Sequence, residues 1–169
     1  EEADADMDSN GLVNILDVIQ IINLILDNRA ISEYGSVELG TCIGGDDLHL
    51  NLDSDVNFTG FQLEIDGEYP SITMDDNTHI NLVSRVKNGQ TYVIAYSIAN
   101  EPFKNNSAGI NIVGGSLIDR SDIKVIVSSP TGETLTVTNM SSISELTPSE
   151  FKLTSVFPNP FNPTTSISF

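Results

Sequence analysis

The chain has 169 residues and carries 24 acidic against 7 basic side chains, a formal net charge of −17. That balance excludes nucleic acid as a partner, because no basic patch is available to displace counterions, and it disfavours anionic membrane surfaces. No apolar run reaches the ~20 residues of a bilayer span, so no membrane insertion is expected, and a lone cysteine, Cys42, cannot close an intrachain disulfide. The charge is uneven: residues 1–55 hold 13 acids and one base, Arg29, a net of −12.

That acidic third opens with DMDSNGLVNILD, residues 6–17. Asp6, Asp8 and Asn10 place side-chain oxygens at alternate positions of a tight turn. Gly11 supplies the positive-φ corner that wraps the chain around an ion. Leu12 offers its backbone carbonyl, Asn14 a direct or water-borne contact, and Asp17 reaches back from the next turn to close the cage. This is the layout of a calcium loop, and its many oxygens on a flexible loop suit calcium better than magnesium; the alternative is an acidic, solvated turn in which Asn14 caps the helix.

The next stretch, ILDVIQIINLILDN, predicts a helix over 15–28. Asn14, Asp17, Gln20, Asn23 and Asp27 fall three or four apart and give one narrow wet stripe. The rest of the circumference is apolar, so the helix must be covered on more than one side, by its own β domain or by another chain. Ile15, Val18, Ile19, Ile22, Ile25 and Leu26 are the candidate partner-binding residues. Together, DMDSNGLVNILDVIQIINLIL resembles one repeat of a type I dockerin, in which a D-x-[DN]-x-[DN]-G-x-[VI]-N-x-x-D loop runs into an apolar helix. Dockerins carry two such repeats and bind cohesins. One is present here, and the resemblance implies a calcium cofactor and a protein partner.

Residues 36–139 alternate apolar and polar in short runs. Strands are expected at 36–42, 47–53, 58–66, 79–86, 91–99, 109–113, 123–129 and 133–138, a spacing typical of a sandwich. Leu48, Leu50 and Leu52 face one way, and Asp47, His49, Asn51 and Asp53 the other; Phe61, Leu63 and Ile65 point inward. Asn88-Gly89 and Thr131-Gly132 supply hairpin-type turns. FTGFQLEID (58–66), TYVIAYSIANEPFKNNSAGINIVGG (91–115) and IKVIVSSPTGETLTV (123–137) resemble core stretches of cohesin-like modules. The expected fold is mainly β: a cohesin-like antiparallel β-sandwich with one N-terminal calcium loop-helix and a C-terminal extended strand segment.

No catalytic constellation is apparent. His49 and His79 fall on polar strand faces. The acid pairs Asp46/Asp47, Asp53/Asp55 and Asp75/Asp76 read as a second calcium site or as solvated turns. With no Trp and four Tyr, a sugar-stacking platform is poorly supplied; Tyr69, Tyr92 and Tyr96 are its candidates.

Residues 148–169, PSEFKLTSVFPNPFNPTTSISF, resemble the opening of the C-terminal sorting domain of type IX secretion cargo. Phe151, Leu153, the run Pro158, Asn159, Pro160, Phe161, Asn162 and Pro163, and the strand Thr164–Phe169 carry the likeness. It implies export to the exterior or surface of a Gram-negative bacterium. The sorting domain of that family continues for several more strands, so TTSISF is expected to have unpaired edges, with Thr165, Ile167 and Phe169 as partner-binding residues. Disorder, pairing with the sandwich and pairing with a neighbouring subunit stay open. The chain thus divides into 1–30, a dockerin-like loop and helix; 31–140, a β-sandwich; and 141–169, a linker and sorting-domain start. The function expected is a non-enzymatic, secreted, calcium-binding structural or adhesive module. It would assemble with neighbouring subunits or partner domains, as an extracellular filament in one version. The alternative is a carbohydrate-binding or dockerin/cohesin-type accessory module of a secreted hydrolase.

Overall fold

The computed structural model describes residues 5–26, 34–75 and 79–139, and the backbone of 155–157 and 166–168. Alternation in the sequence becomes two antiparallel-rich sheets. Strands β1 (Ser36–Gly44), β2 (Asp47–Ser54), β4 (Ile72–Met74), β7 (Ser107–Ile112) and β9 (Thr136–Asn139) form one sheet in the order β4-β7-β2-β1-β9. Strands β3 (Gly60–Asp66), β5 (Ile80–Lys87), β6 (Gln90–Ser97) and β8 (Ile123–Ser128) form the other, in the order β5-β6-β3-β8. Every pairing in these two sheets is antiparallel except β1 with β9, which run parallel from Ser36↔Thr136 to Leu39↔Asn139.

The inward residues of both sheets make one core. Leu48, Leu50 and Leu52 meet Phe61, Leu63, Ile65, Val93 and Val127, all at 3 % exposure or less. Phe58 and Phe103 stack at 4.4 Å beneath them. The expected inward faces of β2 and β3 are the observed ones. Asn88 and Gly89, at φ 55° and 78°, make the two-residue turn between β5 and β6.

Other expectations change. Thr131-Gly132 makes a tight turn whose arms pair antiparallel at Ser128↔Thr134, with Ser129 N–H on the Glu133 carbonyl at 2.9 Å, but β9 then leaves β8 and joins the other sheet. β4 was not expected, because its three residues are too few to show a period. The predicted terminal strand is Ser166–Ser168, and its edge is paired with Ser155–Phe157 in a separate two-stranded ladder. Local pairing thus takes one of its two edges, and in a two-strand ladder the other edge has no strand beside it among the described residues. Thr165 and Phe169, and the side chain of Ile167, lie outside the described residues, as do Asp27 and Asn28 at the helix end and the PNPFNP segment.

Helix α1 (Ile15–Leu26) forms a third layer. It lies on the outer face of the four-stranded sheet, over β8, β3 and β6. Ile15, Leu16, Ile19 and Ile22 are buried there against Ile94, Tyr96 and Ile126. Close approach needs a missing side chain: a Cβ at Gly60 would meet Ile15 Cδ1 at 3.0 Å and Ile19 Cδ1 at 3.2 Å. Of the two readings left open for the apolar helix, its own sandwich covers one face, while Leu24, Ile25 and Leu26 at its end stay exposed, so the expected cover on more than one side is not seen among the described residues.

Candidate metal centre

The loop before α1 is built by its own side chains. Asp6 accepts the backbone N–H groups of Asn10 (3.1 Å) and Gly11 (2.9 Å), and Asp8 that of Asn10 (3.0 Å). Asn10 in turn accepts from Leu12 N–H at 2.8 Å. These local bonds curl the chain, and Ser9 and Gly11 take the positive φ values, 58° and 85°, that the curl requires. Asp17 arrives from the first turn of α1. Its two oxygens accept from Met7 N–H and Asn14 N–H, each at 2.8 Å. Although it carries a carboxylate, Asp17 is 0 % exposed.

The result is a convergence of charge. One oxygen each from Asp6, Asp8 and Asp17 lie within 4.8 Å of one another, and no other group of three His, Cys, Asp or Glu does so among the described residues. The donors are oxygens, and backbone N–H groups of the same loop bond all three carboxylates. Such a set fits a hard divalent cation, which would replace mutual repulsion with shared attraction.

Asn14 is placed differently from a simple ligand. Its Oδ1 accepts from Leu16 N–H at 2.8 Å, which makes it the N-cap of α1. Its Nδ2 lies 3.4 Å from the Leu12 carbonyl. Loop and helix are therefore one unit: Asn14 caps the helix, and the helix positions Asp17.

The stripe expected to be wet is largely engaged. Beyond Asp17, Asn23 donates to the Pro130 carbonyl at 2.8 Å and accepts from Asn100 Nδ2 at 2.7 Å. Asn100 also donates to the Pro130 carbonyl, at 2.9 Å. The β8–β9 turn thus grips the helix, and Gly132 (φ +86°) sits so close that a Cβ would meet Gln20 Cγ at 2.6 Å.

The proposed partner-binding face must be corrected in part. Ile15, Ile19 and Ile22 are buried in the chain's own helix–sheet seam, and Val18 packs at its margin. Ile25 and Leu26 do remain outside, 75 % and 44 % exposed. Beside the helix, over β5 and β6, lies an open groove of about 750 Å³ whose lining includes Val13, Val18, Tyr92 and Ile94.

Three of the paired acids bond within the sandwich. Asp47 accepts from Gly114 N–H at 3.0 Å, and Asp55 from Ser36 N–H at 2.7 Å. Asp53 accepts from the Asn51 amide. Asp76 lies outside the described residues. His79 Nε2 pairs with the Pro102 carbonyl at 2.9 Å, and His49 stands exposed on β2. The tyrosines do not form one open platform: Tyr92 and Tyr96 share the outer face of β6, but Tyr96 packs under α1 while Tyr92 lines the groove, and Tyr69 packs on the main core.

No family model matches the sequence, and neither does any curated protein. Solved structures do align. A non-cellulosomal cohesin from Archaeoglobus fulgidus aligns with TM-score 0.41 and 10 % identity, over 63 % of this chain and 86 % of that one. The chitin-binding domain of a Pyrococcus furiosus chitinase gives 0.30 and 15 %, over 59 % and 96 %. The second type II cohesin module of the Acetivibrio cellulolyticus scaffoldin ScaA gives 0.31 and 9 %, over 65 % and 96 %.

Proposed function

We propose that the chain is a non-enzymatic calcium-binding module of a secreted protein, in which the ion locks a dockerin-like loop and helix onto the sandwich. The observation that carries this is the convergence of Asp6, Asp8 and Asp17 within 4.8 Å in a loop whose helix is buried on the sheet. Asp6, Asp8 and Asp17 would hold the ion with carboxylate oxygens, aided by the Leu12 carbonyl and Asn10. The chemistry supplied is cross-linking: one cation ties the loop to the first turn of α1. The sorting-domain likeness at 148–169 supports export by type IX secretion to the cell exterior. Assembly with a protein partner would use surfaces the chain leaves open, among them Ile25 and Leu26.

Calorimetric titration with calcium chloride, and melting in calcium and in EGTA, test the reading. One site per chain is expected, with stabilisation of about 2.7 kcal/mol when free calcium is a hundredfold above Kd. Asp17→Asn should abolish both. Identical melting in calcium and EGTA, with no heat of binding, would overturn it. Sedimentation in calcium and after chelation tests assembly, which predicts particles larger than a monomer that dissolve with EGTA.

A further inference from the structure

The four-stranded sheet has two edges of different kinds. At β8 the chain itself crosses close by, bonding Leu135 N–H to the Val127 carbonyl at 2.9 Å. At the other edge stands β5, eight residues long and paired with β6 alone. The edge strands of the five-stranded sheet, β4 and β9, have three and four residues. Among the described residues of the two large sheets, β5 is therefore the one long edge strand paired on one side only. It has no proline, and its register with β6 runs unbroken from Ile80↔Ser97 to Lys87↔Gln90.

The two-residue turn at Asn88-Gly89 makes Lys87 and Gln90 a hydrogen-bonded pair. Alternation then turns the N–H and C=O groups of Ile80, Leu82, Ser84 and Val86 away from β6. Arg85, between Ser84 and Val86, and Lys87, next after Val86, lie on the outer face, both exposed. Among the described residues neither has a carboxylate partner, and β5 itself contains no acid. The one acid of the facing groove wall, Glu64, is held by Lys124 at 3.2 Å. Val83, on the same face, is 55 % exposed. Two cations with no carboxylate beside them, on a strand whose outer edge is open among the described residues, are a complement for acid.

We infer that the β5 edge is a docking site for an extended acidic peptide segment of a partner protein, added as a fifth antiparallel strand. Pairing through the outward groups of Leu82, Ser84 and Val86 makes Arg85 and Lys87 non-hydrogen-bonded positions, where opposed side chains stand closest. Carboxylates at alternate positions of the incoming strand meet both cations, and its other face covers Leu82 and Val86. The backbone provides affinity and the two cations select the partner. This site does not depend on the calcium reading.

The test uses the whole chain with two capped eight-residue peptides, one alternating valine with glutamate and one alternating valine with lysine. Expected are saturable binding of the glutamate peptide, slowed amide exchange at Leu82, Ser84 and Val86, and no binding of the lysine peptide. Arg85→Glu with Lys87→Glu should weaken binding on the order of tenfold. Ser84→Pro removes an outward N–H that β6 does not use, so it should abolish binding while leaving the melting curve intact. No binding of the glutamate peptide, binding without protection at β5, or binding indifferent to the charge reversal would overturn the inference. Should Ser84→Pro fail to fold, the charge reversal and the exchange pattern still decide it. The same titration in EGTA should give the same result, which separates this outcome from failure of the calcium site.

Discussion

Replacing Ile19 by alanine probes the seam between helix and sandwich. Ile19 is 0 % exposed and faces Gly60, which has no side chain to move into a hole. The change removes three carbons from a fully buried position, worth about 2.5 kcal/mol at ~0.8 kcal/mol per buried methylene. A cavity that cannot collapse adds to that, so roughly 3 kcal/mol is expected, within the usual range for such truncations. Urea unfolding in calcium, followed by far-UV circular dichroism and tyrosine fluorescence, measures it. With no tryptophan in the chain, Tyr96 beneath the helix is a native reporter of the seam. Ile25→Ala is the internal control, because Ile25 is 75 % exposed and should change stability by less than about 0.5 kcal/mol. Equal small losses for the two variants, with unchanged tyrosine emission, would refute the docking of α1 on this sheet.

Asn14→Ala should cost about 1 kcal/mol by removing the cap on Leu16 N–H, and it should weaken calcium binding without abolishing it. Gly132→Ala should destabilise by at least 1 kcal/mol in a melting experiment, since its φ of +86° and the 2.6 Å approach to Gln20 both oppose a Cβ. A double-mutant cycle of Asn23→Ala and Asn100→Ala should show coupling of about 0.5–1.5 kcal/mol, the worth of one side-chain hydrogen bond, and additivity would deny that they bond in solution.

The parts of the fold that repeat with a fixed period were legible. β2 reads Leu-x-Leu-x-Leu and buries those leucines; the helix reads as one continuous apolar surface and is a helix. The convergence of Asp6, Asp8 and Asp17 was legible because the spacing of the loop sets its geometry. What covers the helix was not, since an apolar helix face looks the same under any neighbour. A signal was nonetheless present on the sheet side. Tyr92-Val93-Ile94-Ala95-Tyr96 and Val125-Ile126-Val127 are continuous apolar runs, where a strand wetted on one face should alternate. Ile94, Tyr96 and Ile126 are the residues the helix covers. Asn23 and Asn100 are 77 positions apart, and nothing local announces that they meet. The capping role of Asn14 was one of two open in the sequence, because cap and ligand call for the same residue type at that position, and the structure shows its oxygen on the Leu16 N–H.

The parallel pairing of β1 with β9 has a mechanical consequence. The chain enters the sandwich at the start of β1 and leaves it at the end of β9, and these two strands lie side by side pointing the same way. Tension applied before Ser36 and after Asn139 therefore drags the two strands past each other along their own axes. Their cross-links, including Thr136 N–H to the Gly35 carbonyl at 3.2 Å, are loaded all at once in shear instead of peeling open one by one. A module held in this way resists a pull along the chain far better than an antiparallel hairpin of the same length, which unzips from its open end.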